Sequence, residues 1–106
     1  MYILQIYSHS PESCPIGNPK NLQTMMNWLR KVDALAAKHG LKVVGIWTDR
    51  WGHKSWAVYD TPNMEAFEKF EQEPENLEKV AFNDIETRTV TVPKQTLAFF
   101  EKIRST

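Results

Sequence analysis

A single cysteine, Cys14, stands among 106 residues, so no intramolecular disulfide can staple this chain. Charge of one sign is also lacking: 13 Lys and Arg balance 13 Asp and Glu. A polyanion partner needs a net positive face, so no nucleic acid is expected as the main ligand. No apolar run approaches the ~20 residues that cross a bilayer, which excludes a transmembrane helix and makes a membrane partner unexpected. Nothing resembles a signal peptide, because the chain opens directly on Tyr2-Ile3-Leu4-Gln5-Ile6-Tyr7. Together with the lone cysteine, that makes a reducing cytoplasm the expected location. Internal repeats and low-complexity segments are absent, and the length suits a single domain over residues 1–106, burying roughly two-thirds of the surface its unfolded form exposes.

Tryptophan is what the chain has locally in excess. Three of its four tryptophans fall in Trp47-Thr48-Asp49-Arg50-Trp51-Gly52-His53-Lys54-Ser55-Trp56, which reads as two strands around a tight turn. Each indole brings a large flat face and one N–H donor, so the cluster suits an aromatic or planar ligand held against a few polar groups.

Punctuation gives the remaining elements. Residues 2–8 mix β-branched, aromatic and apolar side chains and read as a first strand. A proline-rich loop follows, and Asn18-Pro19 reads as N-cap and first turn of a helix. Leu22, Met25, Leu29, Val32 and Ala36 recur at helical spacing until His39-Gly40, where glycine suits the left-handed C′ position. Leu41 to Thr48 and Lys54 to Asp60 form a hairpin. Thr61-Pro62 is the expected cap and first turn of a second helix carrying Met64, Phe67 and Phe70, which Pro74 ends. A short helical turn through Leu77 and Val80 follows. Ile85 to Val92 alternates as a strand up to Pro93, and a last helix near Lys94 to Arg104 carries Leu97, Phe100 and Ile103.

The order is βαββαβ plus a C-terminal helix, an α+β ferredoxin-like fold with a four-stranded antiparallel sheet. Helices cover one sheet face. The other is expected to need a partner, because Ile3, Tyr7, Val43, Trp47 and Tyr59 are too apolar for water. In topology the chain resembles the dimeric α+β barrel superfamily, in which two such sheets pack face to face. It looks most similar to a group of uncharacterised small proteins there, through Leu41-Lys42-Val43-Val44-Gly45-Ile46-Trp47, Trp56-Ala57-Val58-Tyr59-Asp60 and Thr89-Val90-Thr91-Val92-Pro93. The resemblance implies a homodimer and a range of functions, from cofactor-free monooxygenases, haem-degrading enzymes and isomerases to small-ligand sensors. The haem-degrading members pair a first-strand asparagine with tryptophan and histidine; Gln5 stands on the first strand here.

The chemistry-bearing residues cluster around the hairpin and the first loop. The first and third strands are antiparallel neighbours in this topology, which brings His9 toward His53. Both histidines suit acid–base work near neutral pH, with Tyr7 as a further catalytic group. Gln5, Trp47, Trp51, Trp56 and Tyr59 are the expected ligand-binding residues. Tyr7, His9, Trp47, Trp51, His53 and Trp56 are expected to line one pocket if the turn redirects Trp51 and His53. His9, Glu12, Cys14, Asp49 and His53 also supply donors suited to zinc or iron, but no local spacing preorganises them, so no metal is assigned. The cofactor is left unknown.

Blander accounts compete at each position. Tyr7 and Tyr59 suit a core with buried hydroxyls, and Met25 and Met26 suit core filling. Cys14 lacks a neighbouring cation to hold a thiolate. The run Glu65, Glu68, Glu71, Glu73, Glu75, Glu78 reads as a solvated helix face. An RNA-recognition module shares the strand order, but Trp51-Gly52-His53-Lys54-Ser55-Trp56 lacks its basic-glycine-aromatic pattern. The expected function is therefore small-molecule binding, with a cofactor-free or metal-dependent monooxygenase or isomerase using His9 and His53 as the alternative.

Overall fold

A computed structural model describes residues Met1–Thr106. Strand β1 (Tyr2–Ser8) leads through a short 3-10 turn at Pro11–Ser13 into helix α1 (Pro19–Lys38), then β2 (Lys42–Asp49) and β3 (Lys54–Asp60). Helices α2 (Met64–Glu71) and α3 (Pro74–Val80), strand β4 (Asp84–Val90) and helix α4 (Pro93–Arg104) complete the chain. The sheet order is β2-β3-β1-β4, with every neighbouring pair antiparallel.

Local chemistry explains the boundaries. Asn18 accepts from the Asn21 N–H at 3.1 Å and caps α1, while Pro19 occupies the first turn, where its missing N–H costs nothing. At the other end Gly40 takes φ 79°, and the Leu41 N–H closes onto the Ala36 carbonyl at 2.9 Å. The α2 cap is Asn63, which accepts from the Ala66 N–H at 2.8 Å; the expected cap, Thr61, is buried and donates to the Asn63 carbonyl instead. Strand β4 stops at Val90, short of the expected Val92, because Gln95 turns back onto the Val92 N–H at 3.0 Å to start α4.

Burial corrects the expected assignment of faces. Ile3, Tyr7 and Tyr59 lie on the helix-covered side with Ala57, in one core with Trp28, Val32, Ala36, Leu41, Phe67 and Phe70. The opposite face of β1 and β3 carries Tyr2, Leu4, Ile6, Trp56 and Val58. Val43 and Trp47 are separated although four residues apart, because the register shifts between Val43 and Gly45. One extra residue on β2 inverts the alternation beyond it. Val43 pairs with Tyr59 and packs on the core, whereas Trp47 pairs with Trp56 on the outer face, 55% exposed. The Trp47 indole lies against the backbone of Gly45, where any Cβ would collide with it.

Polar groups also enter the core. Trp28 donates to Asn76 at 2.7 Å, and Asn76 donates to the Phe70 carbonyl at 2.6 Å, tying α1 to the α2–α3 junction. Lys79, 2% exposed, sits over the Tyr7 and Trp28 rings. Glu65, Glu68 and Glu78 are exposed, as expected of a solvated face. Glu73, by contrast, accepts from Lys38 and His39, both at 2.8 Å, and Glu71 accepts from Gln5.

Helix α4 has no buried residue, and Leu97, Phe99, Phe100 and Ile103 are all exposed. The molecule is elongated as a result, 55 Å along its longest axis. No helix is long and apolar enough to cross a membrane.

Candidate functional site

The end of the sheet where β1 stops and the β2–β3 hairpin turns holds a mostly apolar cavity of about 280 Å³. Its wall comes from α1 through Leu22, Met25, Met26 and Leu29, with Ile16 and Phe82 beside them. Its polar side consists of His9, Cys14 and Asn83, with Asp49, Arg50 and Lys54 from the hairpin. Arg50 and Lys54 form no ion pair; the exposed Asp49 between the strands accepts from the Gly52 N–H at 2.9 Å instead.

The first loop is held firmly. Ser10 caps the 3-10 turn by accepting from the Ser13 N–H at 3.3 Å, and Asn21 donates to the Ser13 carbonyl at 2.8 Å. Cys14 follows directly and is buried, 8% exposed. The His9 N–H donates to the His53 carbonyl at 3.2 Å, extending the β1–β3 ladder by one bond, and the two imidazole rings meet edge to face at 5.3 Å. His53 adopts φ 55°, the left-handed region that side chains with a Cβ rarely occupy.

Hydrogen bonds orient His9. Asn83 donates its amide to the Lys79 carbonyl at 2.9 Å, which turns its own carbonyl toward His9 Nδ1 at 3.3 Å. Nδ1 is therefore the donor, and Nε2 carries the lone pair. His9 Nε2 and His53 Nδ1 are both buried without a hydrogen-bond partner. One ligand atom from each of His9, Cys14 and His53 lies within 4.8 Å of the others. Glu12 is exposed and Asp49 engages Gly52, so neither joins this cluster.

The expected single pocket divides into three places. Of its six residues only His9 lines the cavity, with His53 against it. Tyr7, Gln5 and Tyr59 belong to a second, interior network: the Tyr7 hydroxyl donates to the Gln5 carbonyl and meets the Tyr59 hydroxyl at 3.4 Å. Gln5 in turn donates to Glu71 at 3.1 Å and to Thr87 at 3.2 Å. Burial pushes both tyrosine hydroxyls, and the Glu71 carboxyl, above their ordinary pKa values. The crevice beside this network, about 10 Å³, has room for a water and nothing larger. Trp47 and Trp56 pair on the outer sheet face, and Trp51 projects from the turn, 91% exposed. No tryptophan lines the cavity.

Sequence reasoning missed the wall itself. Leu22, Met25, Met26 and Leu29 form an apolar arc wider than one sheet face requires, and that width was the available signal.

Against solved structures, the chain is similar to an antibiotic biosynthesis monooxygenase, at 13% identity and a TM-score of 0.56, covering 88% of this chain and 100% of that one. It is also similar to an uncharacterised NIPSNAP domain protein from Burkholderia xenovorans, at 7% identity and a TM-score of 0.51, covering 88% and 97%. The shared fold is the ferredoxin-like α+β arrangement with a four-stranded antiparallel sheet. At such identities the likeness concerns the fold alone. No protein-family model matches the sequence, and no curated protein matches it. Within this fold the cavity lies on the helix-covered side of the sheet, away from the outer face.

Proposed function

We propose that the chain is a homodimeric domain that binds a small, largely apolar, planar molecule in the 280 Å³ cavity between α1, the first loop and the hairpin. The observation that carries this is the composition of the wall: six apolar side chains face a short polar strip of His9, Asn83, Arg50 and Lys54. Thioethers at Met25 and Met26 adapt to an aromatic edge, and Phe82 supplies a flat contact. The unpaired Arg50 and Lys54 favour a carboxylate or phenolate oxygen at the mouth. The volume limits the ligand to a small ring system.

Dimerisation is supported by the outer sheet face. Tyr2, Leu4, Ile6, Trp56 and Val58, all partly exposed, and the exposed Trp47 make one apolar face, and α4 leaves four more large apolar side chains uncovered. A second copy of the same sheet satisfies both.

A second reading, catalysis, is favoured by one observation. His9 lines the cavity with its Nε2 lone pair buried and free, so it can take a proton from a bound substrate as a general base. Cofactor-free monooxygenation or isomerisation fits such a base, and one of the similar structures is that of an antibiotic biosynthesis monooxygenase.

The test is a thermal-shift and calorimetric screen of small aromatic acids and quinones, using wild type and Leu22→Trp, whose indole fills the cavity. A ligand that stabilises wild type and not Leu22→Trp supports the reading. Equal binding to both proteins places the site elsewhere. For any ligand turned over, His9→Gln should abolish turnover and leave binding within a few-fold.

A further inference from the structure

We infer that His9, Cys14 and His53 form a binding site for one transition-metal ion of the zinc class at the polar end of the cavity. The three residues come from a strand end, a proline-rich loop and a hairpin turn, and one ligand atom from each lies within 4.8 Å of the others. From ordinary bond lengths, a tetrahedral ion holds nitrogen and sulfur donors about 3.3–3.6 Å apart. Side-chain rotation covers the difference without moving the strands.

Hydrogen bonding points to the same use. His9 Nε2 and His53 Nδ1 are the buried imidazole nitrogens that lack any partner, in a chain that satisfies nearly all its other buried side-chain polar atoms. A buried polar atom without a partner is destabilising, and an ion between the two nitrogens relieves both at once. Asn83 supplies what a metal-bound histidine needs behind it: an acceptor for the other ring N–H, itself fixed by the Lys79 carbonyl.

The donor set selects the ion. Two imidazoles and a thiolate suit zinc, cobalt or copper and exclude magnesium and calcium, which require oxygen donors. On binding, the Cys14 thiol releases its proton to solvent and the sulfur takes the ion as thiolate. Three protein donors leave a fourth position open. His9 and Cys14 both line the cavity, so that position faces the space where an organic ligand would sit. This deepens the ligand-binding reading, rests on it only for the role of the open position, and excludes His9 as general base in the metal-bound protein because the ion takes its Nε2 lone pair; the ion site stands on the cluster itself.

The test is cobalt titration of reduced, chelator-stripped protein purified without a metal-binding tag. One equivalent should bind, giving the intense visible bands of four-coordinate cobalt together with thiolate-to-cobalt charge transfer, and zinc should displace it. Cys14→Ser should remove the charge-transfer band and weaken zinc by at least about tenfold, and Asn83→Ala should weaken it by about 10–100-fold. His53→Gly is the variant that guards against misfolding: it deletes a ligand while suiting the positive φ, so it should keep or raise the melting temperature and lose stoichiometric binding. Wild type that binds neither ion at micromolar concentration, or a His53→Gly variant that binds as wild type does, overturns the site. Leu22→Trp should bind cobalt normally, so failure of the organic-ligand screen and failure of the metal site are separately visible.

Discussion

The ammonium of Lys79 lies 3.4 Å from the centre of the Trp28 ring, inside the core, with the Tyr7 ring closing its other side at 3.6 Å. Two aromatic faces thus replace most of the water around a charge that a short helix, α3, delivers beneath the sheet. Burial pushes its pKa well below 10.5, and Glu71 only partly offsets the shift.

A pH dependence of stability follows. Between its depressed folded value and 10.5, the unfolded chain binds the Lys79 proton and the folded chain does not, so this group makes stability rise with pH across that window. Its contribution is complete above 10.5 and is lost as pH falls through the folded value. Tyr7 and Tyr59 act oppositely, since their raised values favour the folded state below pH 10 and cease to as pH climbs past it. Urea unfolding of wild type should therefore show stability increasing with pH up to about 10, and Lys79→Met should be flatter over the same window. Identical slopes in the two proteins would remove Lys79 as the cause.

Asn76 is the hinge between three elements, so its loss should be expensive. Asn76→Ala removes the bond to Trp28 and the bond to the Phe70 carbonyl, leaving the buried Trp28 N–H unpaired while the Phe70 carbonyl keeps the Glu73 N–H. The expected cost is about 1–3 kcal/mol, read from denaturant midpoints. Trp28→Phe should cost less, and the double variant should be less destabilised than the sum, because both substitutions remove the same bond. Strict additivity would contradict a direct coupling.

The order of elements was legible because each boundary carries local chemistry: Asn18-Pro19, Gly40, the alternation of Thr87 and Thr89. The assignment of faces was not. Periodicity states which residues share a side and leaves open which side the helices cover, so Ile3, Tyr7 and Tyr59, whose apolar pattern equally suits an outer face, turn out to be core. The extra residue at Val44 then breaks the shared side of Val43 and Trp47, and nothing in Leu41-Lys42-Val43-Val44-Gly45-Ile46-Trp47 announces it except a glycine small enough to take an indole. The approach of His9 to His53 was legible from antiparallel topology alone. The arrival of Cys14 depends on the exact course of the loop, which local spacing does not encode.

His53 gives a stability prediction that is independent of any ligand. At φ 55° its Cβ is strained, and glycine relieves this at some cost in unfolded-state entropy. The net for His53→Gly should be a gain of about 0.5–1 kcal/mol, measured as a rise in melting temperature without metal. His53→Ala, which keeps the Cβ, should show no gain. A loss in the glycine variant equal to that in alanine would mean that the imidazole packing against His9 outweighs the backbone strain.

The outer face and α4 make a linked prediction about assembly. Leu4 sits on the central strand β1, in register with Val58 on one side and Arg88 on the other, so a charge there lies in the middle of any sheet-to-sheet contact. Leu4→Glu should convert the proposed dimer to a monomer in sedimentation at micromolar concentration, because desolvating a carboxylate in such a contact costs several kcal/mol and the exposed neighbour Arg88 offsets that only in part. The arm behaves differently. Helix α4 buries nothing against its own chain, and Phe100 remains 60% exposed, so truncation after Thr91 should leave the thermal unfolding of a monomeric Leu4→Glu background unchanged. In the wild-type background the same truncation should weaken the dimer by at least about tenfold, since Leu97, Phe99, Phe100 and Ile103 would lose their cover on the second copy. Wild type that sediments as a monomer would refute the dimer, and a truncation that leaves dimer affinity intact would show that α4 docks elsewhere.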